Sequence, residues 1–373
     1  MILSRRSMLA GSAALFVAAQ GSAKRTAGGG WYDKAIIIDG VGGFGDPYGA
    51  DDVSRLSDRG WREIVETGVT IGNQTVLPVG NVADAWGEYK KNIQYFQEFF
   101  GANPDRVILV RSAADVLRAK RERKCGLILE TQDSCMVGGA LDRLAEMKKD
   151  GIRIVQLTYN NRNLSGDGSL EPGNAGVSKL GKATIERIEA EKLLLDLSHG
   201  GARTMAEGVA FAKRPMVISH TGARALYDHP RNTDDSTIRA VADKGGVVGV
   251  YFMPYLAGDM KPSGANLLDH VEHVARIAGE DHVAIGTDNG LLPLPMDDAS
   301  LKQLRAWQEE RAKAGIAAPG EGPDFIPIVR DYNSIDRYRR FAGDLAKRGW
   351  SQSRLEKLMG GNFLRVYREV WGG

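Results

Sequence analysis

The sequence predicts an α/β fold, a single-domain (β/α)8 (TIM) barrel. Eight short runs rich in Val, Ile and Leu recur at 35–39, 69–76, 126–132, 152–159, 193–199, 216–220, 246–252 and 282–288. Most are continuously apolar rather than alternating, as expected of parallel strands covered on both faces. Longer helical stretches separate them, and strand–helix alternation repeated eight times implies a parallel sheet closed into a barrel. A doubly wound open sheet is the competing arrangement. Residues 107–111 form a ninth candidate, an extra or barrel-flanking strand.

Helix signals fall between the runs. Ser112, with Asp115 three residues on, opens one helix as an N-cap. Residues 83–100 place Trp86, Tyr89, Ile93, Phe96 and Phe100 at helical spacing, which reads as packing and not as a cofactor box. Residues 269–279 and 338–348 are further helices. Two connections, 160–176 and 291–331, are too long for turns. The second carries Pro293, Pro295, Pro319, Pro323 and Pro327. Such loops in a compact domain are functional or mobile.

The chain has 373 residues, 43% hydrophobic and 26% charged, an ordinary globular composition. A core of this size holds a fold without disulfide or metal. Residues 1–23 read as a twin-arginine export signal. Arg5-Arg6 precedes an apolar run from Leu9 to Ala19, and Gly21-Ser22-Ala23 supplies small residues for cleavage. This predicts a periplasmic protein, with the barrel over 24–373. The apolar run is too short to remain as a membrane span, and no other segment is long enough. Removing residues 1–23 takes away two arginines and no acid, so the formal charge falls from +2 to zero. A neutral chain without a basic stripe argues against a nucleic-acid partner. Cys125 and Cys135 flank a predicted strand of about 23 Å. A disulfide needs Cα atoms within about 7 Å, so two free thiols are expected.

Chemistry in such a barrel gathers at the C-terminal strand ends. Those ends carry Asp39, Gln132, Tyr159, His199, His220 and Asp288. His199 and His220 end consecutive strands, about 4.8 Å apart, where two imidazoles can converge on one metal. The alternative is a hydrogen-bonded histidine pair at a polar mouth. Asp288 suits a general acid or base, a third metal ligand, or a loop cap.

Several segments resemble the membrane (renal) dipeptidase family. They are Gly181 with its preceding Ser178-Lys179-Leu180, residues 193–200 and 215–220, Pro230-Arg231-Asn232, residues 245–254 and 284–288, and Gly360-Gly361-Asn362-Phe363-Leu364-Arg365-Val366. The matches run from about Trp31 to Val370. The resemblance implies a (β/α)8 barrel, dipeptide hydrolysis at a binuclear zinc site, and a homodimer. It makes His199 and His220 zinc ligands, Asp288 the residue that handles the proton of the tetrahedral intermediate, and Arg231 the partner of the substrate carboxylate.

Three departures matter. The family's first strand ends Asp-Gly-His-x-Asp, whose His and Asp bind the other zinc, whereas this chain has Asp39-Gly40-Val41-Gly42-Gly43. The bridging glutamate falls on Gln132, which keeps the spacing, or on Glu130, which keeps the acid. Tyr159 stands where the family has a substrate-binding histidine. The expected site is therefore one zinc on His199 and His220, with a third ligand from Asp288, Gln132, Asp133 or Glu130. This reading yields a single-metal hydrolase of small peptides. The alternatives are a non-catalytic binding protein descended from a peptidase, and a two-zinc enzyme drawing ligands from Asp46 or Asp51. His229, His270, His273 and His282 are less promising, and His270 and His273 are expected on a solvated helix outside the barrel.

Overall fold

The computed structural model describes residues 30–49 and 54–372; the expected export signal lies outside them. Nine parallel strands form: β1 (Ile38–Asp39), β2 (Ile71–Thr75), β3 (Val107–Leu109), β4 (Cys125–Thr131), β5 (Ile152–Gln156), β6 (Leu194–Asp196), β7 (Val217–Thr221), β8 (Val247–Val250) and β9 (Val283–Ile285). Eight follow one another in the order β1-β2-β4-β5-β6-β7-β8-β9, and β3 adds to β4 alone. The ninth run is thus the flanking strand. Gly40 N donates to Ile285 O at 2.9 Å and Asp288 N to Val41 O at 2.8 Å, bringing the last strand against the first. The result is the expected (β/α)8 barrel, nearly closed.

Each barrel strand sends one apolar side chain to a common inner layer: Ile38, Ile71, Ile128, Ile154, Leu194, Val217, Val247 and Ala284. The C-terminal helix Asn362–Trp371 packs Phe363, Leu364, Val366, Tyr367 and Val370 against this layer. Side chains alternate along a strand, so the next inward positions are Gly40, Asn73, Glu130, Gln156, Asp196, Ser219, Gly249 and Gly286. Five of these are polar and buried. The interior therefore turns from hydrocarbon to polar within two residues, toward the end where chemistry is expected.

The register of β7 against β8 shifts between Ile218 and Thr221, a bulge at Ser219 and His220. A Cβ on Gly249 would lie 1.9 Å from Ser219 O, and one on Gly286 would lie 2.1 Å from it. Only glycine leaves room for the bulged carbonyl. Bulges re-aim side chains, and this one carries His220.

Helices form near the expected positions, at Ala85–Ala102, Ala113–Glu122, Gly264–Ala278 and Arg337–Lys347. Ser112 and Asp115 make the full reciprocal capping box. Tyr89, Ile93 and Phe96 are buried packing residues, as the spacing implies. Cys125 and Cys135 are free thiols. Among the described residues no helix is long and apolar enough to cross a membrane.

Three expectations need correction. The 291–331 connection is not all loop, because Asp298–Lys313 is a helix with Asp297 capping Ser300 N. The strands are shorter than the apolar runs: β5, β6 and β9 stop three residues before Tyr159, His199 and Asp288. His270 and His273 are 1% and 7% exposed, not solvated. His270 accepts from Ala223 N at 2.9 Å and His273 Nε2 meets Asp235 at 2.7 Å, so they pin their helix to neighbouring elements.

Candidate active site

His199 and His220 lie together, their ring centroids 4.8 Å apart and their planes at 63°. Each has one nitrogen engaged and one bare. His199 Nδ1 stands 2.7 Å from Asn160 Oδ1. Asn160 Nδ2 donates to Ile316 O at 2.8 Å, which fixes Oδ1 as the acceptor and places the imidazole proton on Nδ1. His220 Nδ1 stands 2.8 Å from Ser219 Oγ. Ser219 Oγ donates its own proton to Asp196 Oδ2, so here too Nδ1 carries the imidazole proton. Asp196 also accepts from Ser198 N, Ser198 Oγ and Ser219 N; burial raises its carboxyl, and these bonds and that from Ser219 Oγ oppose the rise without cancelling it.

The Nε2 atoms of both histidines are buried with no hydrogen-bond partner among the described residues. Burial, with the nearby positive charge of Arg231, pushes both imidazoles well below their usual pKa. Two neutral imidazoles with unengaged lone pairs and oriented second nitrogens are what a metal requires. His199 adopts φ +60 and Asp288 φ +58, left-handed conformations uncommon for such residues and frequent at functional sites.

The remaining donors are less complete. Glu130 is buried with Oε2 unpartnered, and its carboxyl is raised well above its usual range by burial and by Asp196. Gln132 instead donates to Thr75 Oγ1 at 3.0 Å. Asp133 accepts from Gly80 N, Asn163 Nδ2 and Cys135 N, and so serves the loops. Asp46 accepts from Ser57 N and Oγ, and Asp51 lies outside the described residues. Asp39 is engaged by Thr287 N, Thr287 Oγ1 and Tyr338 OH, sealing β1 to the last strand. Val41 is a buried core residue. Among the described residues no three His, Cys, Asp or Glu side chains gather closely enough to hold a metal. The imidazole pair fits a metal, but among the described residues no third His, Cys, Asp or Glu joins it.

Asp288 makes no side-chain hydrogen bond among the described residues, and its carboxyl is raised to about 6 by burial, with Arg231 and Arg311 opposing. Arg231 is 4% exposed, has no carboxylate at ion-pair distance among the described residues, and leaves Nη2 unpartnered. A buried guanidinium without a partner is costly unless an anion arrives. Tyr159 stacks on His199, centroids 4.2 Å apart at 22°, and its hydroxyl accepts from Arg311 Nη1 at 3.0 Å.

Sequence reasoning missed the residues that orient these groups: Asn160, Asp196, Ser219, His229, Arg311 and Glu321. Asp196 and Ser219 were recoverable, since strand alternation puts both inside the barrel. Arg311 and Glu321 carried no signal, because their partners Tyr159 and Tyr255 lie 152 and 66 residues away.

The fold and mouth together define a (β/α)8-barrel protein with a paired-imidazole centre beside an unpaired arginine. The family model for membrane dipeptidase, peptidase family M19, matches residues 73–311 and 310–371, and the chain belongs to that family. It is 25% identical to the dipeptidase tcpJ of Claviceps purpurea, over 75% of this chain and 59% of that protein. It is 27% identical to an uncharacterized protein in the pqqA 5′ region of Klebsiella pneumoniae, over 75% of this chain and 95% of that one. The chain thus spans about three fifths of the Claviceps dipeptidase. Among solved structures, an amidohydrolase from Pseudomonas aeruginosa superposes with a TM-score of 0.79 at 27% identity, over 92% of this chain and 98% of that one. A metallo peptidase from Rhodobacter sphaeroides, solved with a phosphinate mimic of the dipeptide L-Ala-D-Ala, shares the fold with a TM-score of 0.72 at 17% identity, over 90% of this chain and all of that one.

Proposed function

We propose that this chain is a metal-dependent hydrolase that cleaves dipeptides or a similar small amide at a single-metal site, after twin-arginine export to the periplasm. The observation that carries this reading is the pair of bare, buried Nε2 atoms on His199 and His220 beside an unpaired Arg231. His199 and His220 would hold one zinc, with Gln132 or Glu130 as the further donor; Glu130 Oε2 is buried and unpartnered among the described residues. A zinc bound there supplies a Lewis acid and an acidified water. Arg231 holds the substrate carboxylate through its planar fork. Asp288, whose side chain makes no hydrogen bond among the described residues and is raised into the range of a working acid–base group, takes a proton from the attacking water and returns it to the leaving nitrogen. The relatives named as dipeptidases support the substrate class, and the family resemblance supports a homodimer.

A binding protein descended from a peptidase is the second reading. Val41 and Gly43 at the first strand and the absence of a three-ligand cluster among the described residues favour it. Elemental analysis of the purified mature protein, with a panel of L,L and L,D dipeptides, separates the two. The hydrolase should carry about one transition metal per chain and cleave a member of the panel, with loss of cleavage in His199→Ala. A zinc-loaded preparation that cleaves nothing, yet is thermally stabilised by a peptide, would establish the binding protein.

A further inference from the structure

One short segment touches the supports of both His199 and Arg231. Arg311, at the end of helix Asp298–Lys313, donates through Nη1 to the Tyr159 hydroxyl at 3.0 Å, and Tyr159 lies flat on the His199 ring. Five residues on, the Ile316 carbonyl accepts from Asn160 Nδ2 at 2.8 Å, and Asn160 Oδ1 holds His199 Nδ1. Three residues further, the Pro319 carbonyl stands 3.0 Å from His229 Nε2, while His229 Nδ1 accepts from Arg231 N at 3.2 Å. Two contacts thus fix the face and the edge of one candidate ligand, and the third fixes the backbone of the unpaired arginine.

The segment is itself tied into a loop. Arg311 Nε and Nη2 meet Glu321 Oε2 and Oε1 at 2.9 and 3.1 Å, with the two side chains 10% and 3% exposed. Glu321 also accepts from Ala318 N at 3.0 Å and from the Tyr255 hydroxyl, and Tyr255 stacks on His229 at 4.6 Å and 12°. A planar fork can grip both carboxylate oxygens while its remaining nitrogen reaches Tyr159; a lysine has no such geometry. A buried ion pair is poor evidence of added stability, which leaves the loop's shape as what this one fixes.

We propose that residues 311–321 brace the candidate site, with Arg311 and Glu321 as positioning residues that set His199 through Tyr159 and Asn160 and set Arg231 through His229. The activity readout of this proposal rests on the hydrolase reading above; the spectroscopic readout does not. The test compares full-length wild type with Tyr159→Phe, Arg311→Gln, Arg311→Lys and the double variant Tyr159→Phe/Arg311→Gln. Tyr159→Phe keeps the stacked ring and removes only the oxygen Arg311 grips, so it covers the case in which Arg311→Gln fails to fold.

Histidine ring signals are followed by NMR with labelled imidazoles. Those of His199 and His229 should shift or broaden in Arg311→Gln and Arg311→Lys, and that of His199 in Tyr159→Phe. Those of His273 and His282, held by Asp235 and by the Gly246 carbonyl, should stay. Misplacement of a site group by 1 Å can cost about 100-fold in rate. Tyr159→Phe should therefore lower kcat/KM for a cleaved dipeptide by about 10- to 100-fold, and the double variant should be no worse than Arg311→Gln within about twofold. Unmoved His199 and His229 signals, or losses that multiply in the double variant, would overturn the proposal. A wild type that cleaves no peptide refutes the hydrolase reading and leaves the ring signals to decide this one.

Discussion

Ser219 stands between a carboxylate and an imidazole: its Oγ gives its proton to Asp196 and sits 2.8 Å from His220 Nδ1. The bare nitrogen of His220 is therefore chosen two groups away, by a buried aspartate. Ser219→Ala removes the acceptor for the Nδ1 proton. The ring is then free to take the other tautomer or to turn, and Nε2 ceases to be a dependable donor. Loss of such a support costs a metal site about 10–100-fold in affinity. Competitive titration against a chelating dye should show that loss in Ser219→Ala. It should be smaller in Ser198→Ala, which touches the same carboxylate but not the imidazole ring.

Asp288 links activity and stability to pH in opposite senses. Burial raises its carboxyl from 3.8 to about 6. Between those values the folded protein binds more protons than the unfolded chain. Stability from this group is therefore present at low pH and lost as pH rises through about 6. The charged form, which takes the proton in the proposed reaction, is gained over the same window. The acid limb of kcat/KM should thus fall near pH 6. Asp39 and Asp133 are also raised to about 6 and titrate in the same interval, so the wild-type stability curve alone does not isolate Asp288. Comparison with Asp288→Asn does. The variant should lose about 10²-fold or more in kcat/KM. Its Tm should match wild type near pH 4 and exceed it at pH 7.5. An equal Tm difference at both pH values would show that Asp288 does not titrate in this window.

Arg231 is a buried cation suited to an anionic partner. It is 4% exposed with no carboxylate partner among the described residues. Arg231→Met breaks no ion pair among the described residues, so at pH 4, where Asp288 is protonated and does not feel the loss of the Arg231 charge, it should leave Tm unchanged or raise it. A hydrogen bond to a charged group contributes about 1.5–3 kcal/mol. The variant should accordingly raise KM for a dipeptide about 10- to 100-fold. The preference of wild type for a free C-terminal carboxylate over its amide should disappear with it. A preference that survives in the variant would place the carboxylate elsewhere.

The barrel was legible because parallel strands buried on both faces write themselves as apolar runs, and eight were present. His199 and His220 were legible because each follows such a run. The strand limits were not, because an apolar residue past the last ladder bond reads the same as one within it. Thus β6 ends at Asp196, and Leu197 and Ser198 lead out to His199 at φ +60. The helix Asp298–Lys313 was hidden by the prolines around it, although Asp297 and Ser300 form a readable cap. His270 and His273 show a different limit. Their helical spacing was correct, but spacing alone does not say which face of an outer helix meets the barrel. The supports of the site were least visible, since Asn160 depends on Ile316 and Tyr159 on Arg311, more than a hundred residues away.

The first strand offers the severest test of the single-metal reading. Val41→His and Gly43→Asp supply the histidine and aspartate that the family resemblance implies for the first strand. The structure argues that this is not enough. A Cβ on Gly43 would lie 2.7 Å from Gln74 Oε1, and that oxygen accepts from Phe44 N at 2.9 Å. The new side chain can enter only by breaking this bond and turning Gln74 away. The double variant should therefore bind one metal per chain, as wild type is expected to, with a lower Tm. Adding Gln74→Ala clears the space and should admit a second metal, counted by elemental analysis and by calorimetric titration. Two metals in the double variant without Gln74→Ala would show that Gln74 yields readily. Two metals in wild type would show that the lost ligands are supplied from another part of the chain.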